Sequence, residues 1–169
     1  MSRRTWGSSL IAMLLVALAV LPASAQSTSP ETAARTTAIA APTKFETELL
    51  SYLNSRRAAI GCSKLVYNAY LALASKRHNA LMVRAGYLSH QYPGESSLGV
   101  RVTNAGYTGW RMLAENLAYG PTSPWGVYKV WMQSSGHRAN IENCSLREAG
   151  FGMAYPDGKA WVTLDLGRR

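Results

Sequence analysis

The chain of 169 residues holds three histidines, nine acidic residues and two cysteines, so the side chains able to do acid–base or metal chemistry can be weighed singly. His78 shares the helical stripe Leu71, Ala74, His78, Leu81, Met82, Ala85 and is expected to be a satisfied core residue. His90, in Leu88-Ser89-His90-Gln91, and His137, in Ser134-Ser135-Gly136-His137-Arg138, fall in loops or at helix ends, where functional groups concentrate. Glu115 is a carboxylate in the otherwise apolar stretch around Leu113–Tyr119. Burying it alone is costly, so it needs a partner, and His90 and His137 are the candidates. The gaps of 25 and 22 residues are not those of a compact metal-ligand motif. Ser134 or Ser135 beside His137 reads as a nucleophile–base pair, although serines in such loops usually cap helices. No Gly-x-Ser-x-Gly elbow, P-loop or dinucleotide glycine pattern is present. Cys62 and Cys144 are expected to pair as a disulfide in an exported domain. The loop they close, 82 residues in sequence separation, stabilises by about 4–5 kcal/mol on the chain-entropy model.

These groups must be positioned by helices first and strands late. Thr43-x-x-Glu46 is a capping box ahead of a periodic run carrying Phe45, Leu49, Leu53 and Ile60, which Gly61 ends. A second helix is expected from near Asn68 to Ala85, with Gly86 as its stop. A third starts at Ser123 with Pro124 in its first turn and runs through Trp131, and a short helical piece follows around 138–143. Gly150–Tyr155 and Lys159–Leu166 alternate around Pro156-Asp157-Gly158, a hairpin signal, and Leu113–Tyr119 is a further strand. With no βαβ alternation, the class is α+β with an antiparallel sheet.

The first segment reads as an address. Arg3 and Arg4 precede the apolar run Leu10–Leu21, and Ala23-Ser24-Ala25 is a cleavage site, so residues 1–25 are expected to be a signal peptide. Residues 26–44, rich in Ser, Thr, Ala and Pro, read as a flexible linker, and 45–169 as one domain. The formal charge is +9, or +7 after loss of the two leader arginines. Basic residues come singly or in pairs without aromatic interleaving, which argues against a nucleic-acid partner. Loose attraction to anionic envelope polymers or lipid headgroups is the sharper reading of that charge; a solvated surface is the simpler one. No apolar run outside the leader is long enough for a transmembrane segment in the mature chain.

Taken together and in order, these motifs resemble the bacterial CAP superfamily (SCP domains), the family of cysteine-rich secretory proteins, venom antigens and pathogenesis-related proteins. The resemblance spans residues 45–169. It is carried by Leu49, Asn54 and Arg57; Gly61-Cys62-Ser63-Lys64-Leu65; Ser89-His90; Arg101; Glu115-Asn116-Leu117-Ala118-Tyr119-Gly120; Trp131; Ser135-Gly136-His137-Arg138; Asn140-Ile141; and Glu148-Ala149-Gly150-Phe151-Gly152. It implies a three-layer α-β-α sandwich around an antiparallel sheet. It also implies a cleft in which His90, Glu115 and His137 match three members of a family tetrad of histidines and acids, the fourth falling at Ser134. Some members bind zinc or another divalent cation there; others bind sterols or lipids elsewhere. The function expected is that of a secreted binding module, extracellular or periplasmic and monomeric, for a lipid, an envelope polymer or a protein ligand. A divalent-metal site is expected at His90, Glu115 and His137. The alternatives are a metal-dependent hydrolase, with the same three residues as its catalytic candidates, and a purely structural envelope protein. Two imidazoles and one carboxylate suffice for a catalytic zinc with a water in the open position.

Overall fold

Thr43 accepts from the Glu46 amide while the Glu46 carboxylate reaches back to the Thr43 amide at 2.7 Å, closing the expected capping box. The helix it opens, α1 (Lys44–Ala59), takes in Lys44, a residue the sequence reading assigned to the linker. The computed structural model describes residues 41–169. The leader and cleavage motif lie outside the described residues, as does most of the linker.

The chain continues through β1 (Val66–Tyr67), α2 (Ala69–Ala85), α3 (Leu98–Asn104), β2 (Met112–Tyr119), α4 (Pro124–Gln133), α5 (Ser135–Glu142), β3 (Glu148–Ala154) and β4 (Trp161–Arg168). Asn68 caps α2 by accepting from the amides of Tyr70 and Leu71, and Gly86 ends it in the left-handed conformation at φ 75°. Ser123 caps α4, with Pro124 in the first turn.

The sheet order is β1-β3-β4-β2. The hairpin β3–β4 and the pair β2–β4 are antiparallel, but β1 adds to β3 in parallel, a correction to a purely antiparallel sheet. The strands' two faces are covered differently. Phe151, Val162, Leu164 and Leu166 face α1, α4 and α5, where Leu49, Leu53, Val127, Trp131 and Ile141 complete the main core. Each of these large side chains contributes about 1.5–3 kcal/mol by burial. On the other face lie α2 and α3, with Leu71, Ala74, Val102 and Tyr107. The architecture is an α+β three-layer sandwich. Asp165 and Thr163 of β4 face α2, where Ser75 Oγ accepts from the Asp165 amide at 3.2 Å. β2 is the edge strand beyond β4.

Candidate functional site

Glu115 lies in the middle of β2, opposite Asp165 of β4. Residues opposite each other across an antiparallel pair share a face, so two carboxyl groups meet in the layer beneath α2. Only 4% of the Glu115 side chain is exposed, and both oxygens are engaged. Oε1 accepts from His90 Nδ1 at 2.8 Å and Oε2 from Arg101 Nη2 at 2.7 Å. Arg101, on α3, also donates Nη1 to Glu95 Oε1 at 3.1 Å, so one guanidinium bridges two buried acids. Asp165 is fully enclosed. Burial first, and the adjacent Glu115 second, hold its carboxyl well above the ordinary range.

His78 is a core residue, as expected, but it is also wired to the site. Its Nδ1 meets Glu95 Oε1 at 2.7 Å and its Nε2 meets the Ser89 carbonyl at 2.9 Å. Both ring nitrogens are thus engaged, one by a carboxylate and the other by a backbone carbonyl. Burial works against ionisation of Glu95, but hydrogen bonds from His78 and from the Tyr92 amide outweigh it and hold its pKa below the usual value. The Ser89 carbonyl anchors the segment that carries His90.

His90 and His137 are set apart by their surroundings. The His90 side chain is 61% exposed. Its hydrogen bond to Glu115 raises its pKa, with burial opposing. His137 sits in the first turn of α5, and its amide donates to Ser134 Oγ at 3.5 Å, which makes Ser134 a cap and not a nucleophile paired with His137. Burial lowers the His137 pKa, and the charge of His90 lowers it further. Its Nδ1 is buried without a partner. The Asn116 amide donates to the His137 carbonyl at 3.0 Å and accepts at its own oxygen from Asn140 at 2.9 Å. Asn140 also donates to the Glu115 carbonyl at 3.4 Å, so α5 covers the exposed edge of β2. The edge strand therefore holds His90 from the α2 side, through the Glu115 carboxylate, and His137 from the α5 side, through its backbone carbonyl.

Five contributors were not read as functional from the sequence. Arg101, Asn116 and Asn140 entered only as motif letters, and Glu95 and Asp165 not at all. Asp165 carries the same signal that singled out Glu115, an acid in an otherwise apolar strand (Trp161–Leu166).

In the observed arrangement Glu115 gives one oxygen to the His90 imidazole and the other to the Arg101 guanidinium, so His90 Nδ1 is committed to that hydrogen bond. Among the described residues, no group of three or more His, Cys, Asp or Glu is placed to hold a metal ion. The arrangement instead offers an exposed, carboxylate-held imidazole beside a desolvated neutral one.

The expected bridge is present between Cys62 and Cys144, with their Cα atoms 5.0 Å apart. Among the described residues no helix is long and apolar enough to cross a membrane.

Comparison with known proteins agrees with this geometry. The model of the cysteine-rich secretory protein family (CAP) matches residues 50–165. YkwD of Bacillus subtilis strain 168 is 28% identical over 147 residues, covering 87% of this chain and 55% of that protein. The chain thus spans about half the length of the curated relative it matches. An SCP-domain extracellular protein of Bacillus anthracis superposes with a TM-score of 0.64 at 24% identity, over 73% of this chain and 40% of that one. An outer surface protein of Borrelia burgdorferi superposes with a TM-score of 0.68 at 18% identity, over 76% and 96%. With the family model covering most of the chain and the sandwich reproduced in solved structures, the chain belongs to the cysteine-rich secretory protein (CAP) family.

Proposed function

We propose that the protein is an exported binding module whose cleft takes an anionic group of an envelope component, a phosphate- or carboxylate-bearing polymer or lipid headgroup. The observation that carries this reading is the state of Glu115. With one oxygen on His90 and the other on Arg101, it serves to hold His90 in place. What the cleft presents outward is then the His90 imidazole, kept cationic by the acid behind it. Beside it, Arg101 is shared between Glu95 and Glu115, so the His90 imidazole is the polar group of the site left facing outward. The net charge of +7 expected once the two leader arginines are lost favours the same partners at longer range. Location outside the cytoplasm rests on the leader motif and on the descriptions of the B. anthracis and B. burgdorferi proteins. A monomer is the expected state.

Binding to phosphatidylglycerol vesicles, against phosphatidylcholine vesicles, tests this at about pH 5.5 and about pH 8, on either side of the ordinary histidine value. Anion binding needs charged His90, so it should be strong at the lower pH, fade as pH rises through the raised His90 value, and be lost in His90→Ala. The competing reading, zinc held between His90 and His137, has the opposite sign, because metal binding needs neutral imidazoles. Zinc affinity that grows with pH and disappears in both His90→Ala and His137→Ala, with no vesicle binding at either pH, would replace the present reading. The hydrolase alternative would show itself as cleavage of a test ester or peptide by the zinc-loaded protein, lost in His137→Ala.

A further inference from the structure

On the far side of Arg101 from His90, a cleft of about 210 Å³ opens between α2 and α3. That is well above the roughly 10–15 Å³ that a single water needs. Its walls include Ala74 and Leu81 of α2, and its polar lining includes Arg77, Ser96, Arg101 and Asn104. The guanidinium of Arg101 is the unusual member. Its side chain is only 8% exposed, and two of its nitrogens are committed to Glu95 and Glu115. The third, Nε, is buried with no hydrogen-bond partner. Buried donors are almost always satisfied in folded proteins, so a lone N–H in the lining of a cleft points to an acceptor that comes from outside. The acceptor's charge follows from the surroundings. Glu95 also lines the cleft, but its oxygens already accept from His78, Arg101 and the Tyr92 amide. Arg77 is exposed and forms no ion pair.

We propose that this cleft is a binding site for a small carboxylate with a short apolar chain, its oxygen accepting from Arg101 Nε and facing Arg77, its chain against Ala74 and Leu81. Such a group is found on a short-chain fatty acid and at the C-terminus of a peptide, and the same pocket chemistry suits both. The cleft shares His78, Glu95 and Arg101 with the site around Glu115, but its ligand does not depend on the function proposed for that site.

Amide chemical shifts of the ¹⁵N-labelled domain, titrated with butanoate, N-acetylalanine and butylamine, test the proposal. Saturable shifts of residues 74–81 and 96–104 are expected with a carboxylate, with a dissociation constant on the order of 1 mM for so small a ligand. Tighter binding of butanoate assigns the free acid, and tighter binding of N-acetylalanine assigns a peptide terminus. Arg77→Gln should weaken binding about fivefold. Leu81→Trp should fill the cleft and abolish binding while the circular dichroism spectrum stays native. Arg101→Lys should abolish it as well; if that variant fails to fold, the Arg77 and Leu81 variants still decide. Butylamine binding as well as either acid, or no saturation at tens of millimolar, overturns the proposal, as does undiminished binding in Leu81→Trp.

Discussion

Two histidines of one cleft carry opposite shifts, and the sign of each can be read in solution. The Glu115 hydrogen bond raises His90 above the ordinary value near 6.5, so the stability it adds is full below that value and is lost as pH climbs through the raised one. Burial lowers His137, so its contribution is full above 6.5 and is lost as pH falls through the lowered value. In an imidazole NMR titration His90 should therefore titrate at higher pH than His137. Glu115→Gln should bring the His90 midpoint down, and an unchanged order with the same midpoints would show that Glu115 does not set them. Glu115→Leu is a harsher change than its place in an apolar strand suggested. It leaves Arg101 Nη2 buried without its acceptor and should cost about 3–5 kcal/mol in a urea titration, with Glu115→Gln costing clearly less. The trio His90, Glu115 and His137 was legible because loop histidines and an acid in an apolar strand stand out locally. Arg101 and Glu95 were not, since their significance lies in the ion-pair chain that joins Glu115 through Arg101 and Glu95 to His78, and no spacing in the chain encodes that meeting; Asp165 carried the same local signal as Glu115 and was passed over.

Elements with their own stop and start signals were legible: α1, α2 and α4 each begin at a side-chain cap, and α2 ends at a left-handed glycine. Two elements were missed for a shared reason. Helix α3, Leu-Gly-Val-Arg-Val-Thr-Asn, is rich in β-branched residues and glycine, and Ser97 before it makes no side-chain capping bond. It is held by packing, with Val102 fully buried beside Tyr107. β1 is only two residues long and exists because β3 lies beside it. The closest approach between elements is that of α2 to β3. A Cβ on Gly150 would lie 2.0 Å from the Ala72 nitrogen, and one on Gly152 2.3 Å from the Ser75 carbonyl oxygen. Backbone cannot yield as a side-chain tip can, so Gly150→Ala should cost at least about 3 kcal/mol. Because Asp165 and Ser75 lie on this same face, it should also disturb the His90 titration. A stable Gly150→Ala with an unperturbed His90 would mean that α2 can shift without consequence for the cleft.

Across the whole molecule, the end of α1 is tied to the chain after α5 twice, by a covalent bridge and by a buried arginine. Arg57 is fully buried and faces no carboxylate. It donates Nε to the Ser63 carbonyl at 2.9 Å, Nη1 to those of Ile141 and Asn143 at 2.8 and 2.9 Å, and Nη2 to that of Leu146 at 2.8 Å. Cys62–Cys144 joins the same two segments. The two ties act on different states. The disulfide restricts the unfolded chain, whereas the arginine satisfies carbonyls that exist as a cluster only in the folded one. Replacing both cysteines by alanine should therefore lower the free energy of unfolding by up to about 4–5 kcal/mol, while amide shifts around 141–146 change little, because Arg57 still holds them. Arg57→Met should do the reverse. Four buried carbonyls lose their donor, so the native segment itself loosens, with faster hydrogen exchange at Ile141 and Leu146 even while the bridge is intact. If loss of the bridge alone frees that segment, the arginine contributes little, and the link between the α1–α5 layer and His137 depends on the disulfide.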